Sequence, residues 1–147
     1  MTILLRTSGD LPHPDQWRHW LAVTESDTSG LDPARKLPRL AHRLEAAFED
    51  CRETWWTLAR RLGRTPTAEL SHGVACGAFG SDFGLMLAWD LLARELAAMP
   101  EPCLMVCDDP WTFRQIASRP GVAAGMPPPL GMTAWKRAVR GFLARGK

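Results

Sequence analysis

The segment Cys103-Leu104-Met105-Val106-Cys107, followed by Asp108-Asp109-Pro110, decides the fold class of this chain. Five consecutive apolar residues that end at turn-forming residues are typical of a strand buried on both faces. Asp109 suits a helix cap and Pro110 suits the first helical position, so we predict a short helix over Trp111 to Ala117. A buried strand that leads into a helix indicates an α/β protein with a mainly parallel sheet.

Upstream of this segment, the clearest pattern is a long amphipathic helix. Apolar residues recur there at intervals of three or four, which places them in one stripe. The stripe consists of Leu37, Leu40, Leu44, Phe48, Cys51, Trp55, Leu58 and Leu62. Asp32-Pro33 predicts the start of this helix, as a cap followed by proline. Thr54 to Thr57 also favours β structure, so two alternatives stay open: a helix through Leu62, or a helix ending near Glu53 with a strand after it.

A second helix is predicted from Ser81 to Met99, and it is apolar around most of its circumference. Such a helix belongs in the interior of a protein or beneath a partner. It contains Asp90, Arg94 and Glu95. It therefore does not suit a membrane span.

Shorter signals complete the order of elements. Ile3 to Leu5 predicts a strand, and Trp17, Trp20 and Leu21 share one face of a helix predicted after Pro14. Further strands are predicted over Ala68 to Cys76 and over Gly121 to Ala124. We therefore expect a small, mainly parallel sheet of three to four strands covered by helices, which is either a compact domain or the first half of a larger one.

Length and composition indicate one folded α/β domain over residues 1–125, followed by a proline-rich connector and a basic terminal helix over residues 126–147. The 147 residues are 46% hydrophobic and 23% charged, which is ordinary for a globular domain. The net charge of +2 does not indicate a nucleic-acid partner. The four cysteines match no disulfide or zinc spacing, and no secretory signal is present, so we expect reduced thiols and a cytoplasmic location.

The terminal helix places Trp135, Ala138, Val139, Phe142 and Leu143 on one face and five cations on the other. Two interpretations remain open. The apolar face covers the sheet, or residues 133–145 contact a membrane surface peripherally or an anionic polymer.

Three loops are candidates for a ligand site, because ligands of parallel sheets bind beyond the carboxyl ends of the strands. They are Thr7 to Gly9, Ser71 through Asp82, and Asp108 to Trp111. Asp108 follows a strand directly, so its carboxylate is placed either to accept hydrogen bonds from ligand hydroxyls or to pair with Arg114 or solvent. Ser81 and Asp82 cap a helix or contact a sugar or nucleotide.

His72 is either a hydrogen-bonded structural histidine or a general base. Ser71 is its neighbour on the opposite side of a strand, so the two do not form a nucleophile–base pair. The glycines at 77, 80 and 84 do not match the dinucleotide spacing, and no lysine-serine end follows them. We therefore expect no bound nucleotide cofactor. His13, His19 and His42 are scattered and form no helical pair, so we also expect no metal ion.

Three stretches together resemble the amino-terminal part of surface-carbohydrate biosynthesis proteins. They are Trp55-Trp56-Thr57, the helix start Ser81-Asp82-Phe83-Gly84-Leu85, and the strand Cys103–Cys107 ending in Asp108. The resemblance covers about residues 50 to 115. The proteins concerned are similar to two-domain (GT-B) glycosyltransferases of O-antigen or capsule assembly, in which a Rossmann-like amino-terminal half receives the acceptor and the carboxyl-terminal half binds most of the nucleotide sugar.

The resemblance implies an acceptor-side domain that is not catalytic alone. It also implies a carbohydrate or lipid-linked acceptor contacted by Asp108 and Arg114, with Ser81, Asp82 and His72 lining the cleft. In a complete enzyme, His72 or Asp108 would be the base for an acceptor hydroxyl. The partner would be a second protein domain or another copy of the chain. The alternative is a non-enzymatic interaction module that uses an exposed apolar helix.

Overall fold

The computed structural model describes residues 3–62 and 82–131, apart from the side chains of Leu62, Asp82 and Phe83. These residues form four strands, β1 (Ile3–Arg6), β2 (His19–Val23), β3 (Cys103–Cys107) and β4 (Val122–Ala124). They also form three α-helices, α1 (Leu40–Leu62), α2 (Asp82–Ala97) and α3 (Pro110–Ala117). Two 3-10 turns lie at Pro14–Gln16 and Pro33–Arg35.

The strands form a single sheet in the order β2-β3-β1-β4, and every pair in it is parallel. Met105 lies at the centre, opposite Leu5 on one side and Leu21 on the other. All five residues of β3 are buried, as their unbroken apolar run predicted. The fold is therefore an α/β, Rossmann-like half domain, and its strand count and parallel pairing agree with the prediction.

The sheet is buried on both faces, but different parts of the chain cover the two faces. The three helices contribute to the core on one face, where Leu5, Leu21 and Met105 pack against residues of α2 and α3. On the other face, Trp17 and Leu31 from connecting segments pack against strand residues such as Leu104. Helix α1 packs mainly on α2.

The helix predicted after Pro14 is wrong, because the segment His19–Val23 forms strand β2 instead. Trp20 packs on the loop-covered face of the sheet, whereas its neighbour Leu21 packs among the helices. In a strand that is buried on both faces of the sheet, apolar residues do not alternate with polar ones. A helical spacing of Trp17, Trp20 and Leu21 therefore arose by coincidence in a doubly buried strand.

Helix α1 begins at Leu40, later than the start predicted at Asp32-Pro33. Asp32 does cap a helical turn, since its side chain accepts a hydrogen bond from the N–H of Ala34, but that turn ends at Arg35. The N–H of Leu37 bonds to the carbonyl of Trp20 instead, and Pro38 follows. A proline disfavours helical geometry in the residue before it, here Leu37. This separates the turn at Pro33–Arg35 from helix α1. The helix then continues through Trp55 and Trp56, so the alternative of a strand there is wrong.

The apolar helix α2 lies in the interior, between α1, α3 and the sheet. Ala88, Leu92 and Leu96 are fully buried along it. Within residues 3–62 and 82–131, no helix is both long and apolar enough to cross a membrane. The predicted strand over Ala68 to Cys76, the glycine-rich loop after it and the basic terminal helix lie outside the described residues.

Candidate functional site

The carboxyl edge of the sheet contains the kind of crevice in which parallel sheets bind ligands. Strands β1 and β3 are neighbours, but the chain leaves them on opposite faces. After β1 it crosses the face that contains Trp17, and after β3 it enters α3 on the helical face. Such a change of direction opens a gap between the two loops at the carboxyl edge.

The carboxylate of Asp108 fills this gap and connects the loops that follow three strands. Its Oδ1 accepts a hydrogen bond from the N–H of Ser8, after β1, at 2.9 Å. Its Oδ2 accepts hydrogen bonds from the hydroxyls of Thr24 and Ser26, after β2, and the Ser26 contact measures 2.9 Å. Asp108 itself follows β3. Its oxygens are thus engaged with hydroxyl and amide donors of the chain itself.

These donors change the acidity of Asp108. Burial of the carboxyl acts to raise its pKa, but the hydrogen bonds from Thr24, Ser8 and Ser26 outweigh burial. The pKa of Asp108 therefore lies below its usual value, because each donor favours the ionised form. A carboxylate held in this way is a fixed anion that organises the carboxyl edge.

Beside Asp108, an open cleft of about 930 Å³ lies between α2 and α3. Val23, the last residue of β2, and Asp109, which follows β3, place it at the carboxyl edge of the sheet. Its volume is in the range of small-molecule sites. Among the described residues, the cleft is lined by Val23, Leu85, Met86, Trp89, Asp109, Trp111, Thr112, Arg114, Gln115 and Ser118.

The two walls of this cleft differ in chemistry. The residues of α2 whose side chains the structure describes and which line the cleft, Leu85, Met86 and Trp89, are all apolar. The wall from α3 carries polar groups, which are those of Thr112, Arg114, Gln115 and Ser118. Trp111 lies among these polar groups and is 40% exposed, so its indole is accessible to a ligand. A ligand with one apolar face and a rim of hydrogen-bonding groups fits this combination.

Asp109 gives α3 a defined start beside the cleft. Its Oδ2 accepts hydrogen bonds from the backbone N–H groups of Trp111, at 3.1 Å, and Thr112, at 2.7 Å. Pro110 occupies the first helical position, as the sequence predicted. The cap therefore fixes the backbone from which the Trp111 side chain extends.

Arg114 lies on the polar wall, where its guanidinium also connects α3 to the proline-rich segment that contains Pro128. One of its terminal nitrogens, Nη1, donates to the carbonyl oxygens of Pro110, at 2.8 Å, and Pro128, at 3.0 Å. The bond to Pro128 attaches the proline-rich connector to the beginning of α3. Arg114 thus borders the cleft, while Asp108 is bound by the loops after β1 and β2.

The structure brings together only part of the site that the sequence predicted. Asp108 and the loop at Ser8 meet at the carboxyl edge, and Arg114 lines the adjacent cleft. Helix α2 begins at Asp82, and its early residues Leu85 and Met86 line the same cleft. His72 and Ser81 lie outside the described residues, as does the side chain of Asp82.

Asp90 was not among the predicted site residues, but it lies behind the cleft and is only 3% exposed. Arg119 binds it with two hydrogen bonds, from Nε to Oδ1 at 2.7 Å and from Nη2 to Oδ2 at 2.8 Å. A signal was present in the sequence, because a carboxylate in the middle of an apolar helix must find a partner when it is buried. The sequence pattern did not indicate that this partner would be Arg119, which lies 29 residues away.

Among residues 3–62 and 82–131, no group of three or more histidine, cysteine or acidic side chains is arranged to hold a metal ion. Comparisons with protein-family models, with curated proteins and with solved structures found no match to this chain.

Proposed function

We propose that this chain is the acceptor-side domain of a glycosyltransferase-like protein of surface-polysaccharide assembly, and that the cleft between α2 and α3 receives a sugar of the acceptor. The observation that carries the proposal is the pairing of an apolar wall with a polar wall at the carboxyl edge of a parallel sheet. A pyranose ring has an apolar face of C–H groups, which suits the indole of Trp111, and a rim of hydroxyls, which suits the polar groups of α3.

Each wall has a defined role in this proposal. The exposed indole of Trp111 stacks on the C–H face of the ring, as aromatic side chains do in many small-molecule sites. Gln115 and Ser118 exchange hydrogen bonds with ring hydroxyls, and Arg114 donates hydrogen bonds from its remaining N–H groups to an oxygen-rich or anionic substituent. Leu85 and Met86 offer apolar surface to a carrier lipid.

The catalytic part of the proposal rests on the resemblance noted in the sequence. His72 and Asp108 stay predictions as the base for an acceptor hydroxyl. The lowered pKa keeps the Asp108 carboxylate ionised but makes it a weaker base, and its oxygens already receive three hydrogen bonds from the chain. We therefore assign it first to organising the loops. We expect no sugar transfer by the isolated chain, and transfer from any sugar nucleotide would overturn the acceptor-side assignment.

Binding is tested by labelling the chain with 5-fluorotryptophan and titrating it with a panel of methyl pyranosides, followed by ¹⁹F NMR. We expect at least one glycoside to shift the Trp111 resonance saturably. Trp111→Ala should weaken that binding, followed in both proteins at the resonance of the cleft residue Trp89, by about ten-fold or more, which corresponds to about 1.4 kcal/mol. Trp56→Ala is the matched control, because Trp56 is 45% exposed but lies on α1, away from the cleft.

Two results would contradict the proposal. The first is a panel in which no glycoside moves the Trp111 resonance up to the solubility limit. The second is equal binding by Trp111→Ala and the unsubstituted chain. Cyclohexanol serves as a ring without the hydroxyl rim, and tighter binding of cyclohexanol than of every glycoside would identify an apolar site rather than a sugar site.

A further inference from the structure

The buried carboxylate of Asp90 joins α2 to the end of α3. Arg119, two residues beyond α3, meets it with the fork-shaped pair of hydrogen bonds described above. Gln115, on α3, donates from Nε2 to Oδ1 at 3.4 Å. Arg94 donates to Oδ2 at 2.9 Å, but it lies one turn further along α2. Of the three partners that Asp90 has among the described residues, Arg119 and Gln115 come from the opposite helix or the residues that follow it.

The same residues adjoin both walls. Asp90 follows Trp89, which is part of the apolar wall, and Gln115 is itself part of the polar wall. Any displacement of Asp90 relative to Arg119 therefore changes the separation of the walls. Gln115 contacts the ion pair directly and faces the cleft, so it links the pair to the binding surface.

Apolar contacts alone leave the relative position of two helices loosely specified, because they are not directional. Leu92 and Phe113 are buried in the common core of α2, α3 and the sheet, where the hydrophobic effect holds the helices together without being directional. Two parallel hydrogen bonds between a planar guanidinium and a carboxylate are directional, and burial makes their loss costly. The ion pair can therefore select one arrangement.

We infer that Asp90 is a positioning residue for the acceptor site, which sets the spacing of the α2 and α3 walls through Arg119 and Gln115. The inference rests on the proposed function for its meaning, but the spacing itself is measurable without a ligand. Asp90 does not touch the ligand. It acts through the residues that do.

Three variants separate positioning from a general effect on folding. Arg119→Lys keeps the positive charge but removes the planar fork, and it is the deciding variant. Asp90→Asn keeps the shape and removes the charge. Arg94→Ala is the control, because it removes a contact to the same carboxylate that does not cross the cleft.

The first measurement is the ¹⁹F spectrum of Trp89 and Trp111 without ligand, together with far-UV circular dichroism and thermal unfolding. We expect Arg119→Lys to retain helical content and cooperative unfolding while its Trp89 and Trp111 signals shift or split. Arg94→Ala should leave those signals in place. The second measurement is affinity for the glycoside that binds best, which should fall about ten-fold in Arg119→Lys and not in Arg94→Ala.

A folded Arg119→Lys variant with unchanged Trp89 and Trp111 signals would overturn the inference, and so would equal changes in Arg119→Lys and Arg94→Ala. If Asp90→Asn does not fold, the ligand-free spectrum of Arg119→Lys decides alone. Absence of glycoside binding by the unsubstituted chain contradicts the proposed function but not the ligand-free result, so the two failures are distinguishable.

Discussion

The carboxylate of Asp108 accepts a hydrogen bond from the backbone N–H of Ser8 at 2.9 Å, across 100 residues of sequence. The two residues follow neighbouring parallel strands, β3 and β1, at the point where the chain leaves those strands on opposite faces. This hydrogen bond places the Asp108 carboxylate in the crevice between the loop after β1 and the loop after β3. Thr24 and Ser26 add the loop after β2 to the same carboxylate.

Replacement of Asp108 is expected to change how stability depends on pH. Because its pKa is lowered in the folded state, Asp108 contributes stability that is fully present above its unfolded pKa of about 3.9 and is lost as pH falls through the folded value. Asp108→Asn should therefore lower the free energy of unfolding at pH 7 and flatten its decline below about pH 4. Urea unfolding at a series of pH values measures both effects.

The control for this pH experiment is Asp15→Asn, whose carboxylate is highly exposed in the Pro14–Gln16 turn. Its removal should leave the free energy of unfolding at pH 7 within about 0.5 kcal/mol of the original. Parallel pH curves for Asp108→Asn and the unsubstituted chain would contradict the role assigned to the Asp108 hydrogen bonds.

Loss of the cap at Asp109 is expected to weaken α3. Asp109→Ala leaves the N–H groups of Trp111 and Thr112 without their acceptor, which should cost about 1 kcal/mol of stability. Asp109→Ser retains a capping oxygen and should recover most of that loss. Thermal and chemical unfolding measure the difference, and equal stabilities of the alanine and serine variants would count against the cap.

Two glycines provide a matched test of backbone conformation. Gly121, just before β4, has φ +83°, and a Cβ there would lie 3.2 Å from the Cβ of Ala97. Gly121→Ala should therefore lower stability by about 1 kcal/mol or more. Gly30 has open space around it and no positive φ, so Gly30→Ala should be neutral or slightly stabilising. A smaller loss for Gly121→Ala than for Gly30→Ala would refute this explanation.

The cysteines of the described core are expected to be unreactive in the folded protein. Burial raises the pKa of Cys103 to about 12 and that of Cys107 to about 12, and it raises the pKa of Cys51 as well. Since only the thiolate is nucleophilic, alkylation at pH 8 should be slow until the protein unfolds. Cys76→Ser leaves these three thiols as the only ones, and mass spectrometry after iodoacetamide treatment counts the modified residues.

The matching measurement in denaturant should show all three thiols modified rapidly. Rapid labelling of Cys103 or Cys107 in the native Cys76→Ser variant would show that β3 is accessible, contrary to its complete burial.

Local patterns predicted the central strand and its junction with α3. An unbroken apolar run followed by Asp109-Pro110 is compatible with few structures, because a cap and a proline constrain the backbone within three or four residues. The strand at Val122–Ala124 and the burial of the apolar helix α2 followed from the same kind of local chemistry.

The sequence by itself determined which segments would be buried and where α3 would begin, because apolar content and capping act over a few residues. Only the tertiary structure decided that Trp20 and Leu21 would face opposite sides of a strand, since double burial removes the alternation that distinguishes a strand from a helix. It likewise decided that Asp108 would bind Ser8 and that Asp90 would bind Arg119. These partners are far apart in sequence, and only the packing of the whole sheet with its helices brings them within hydrogen-bonding distance.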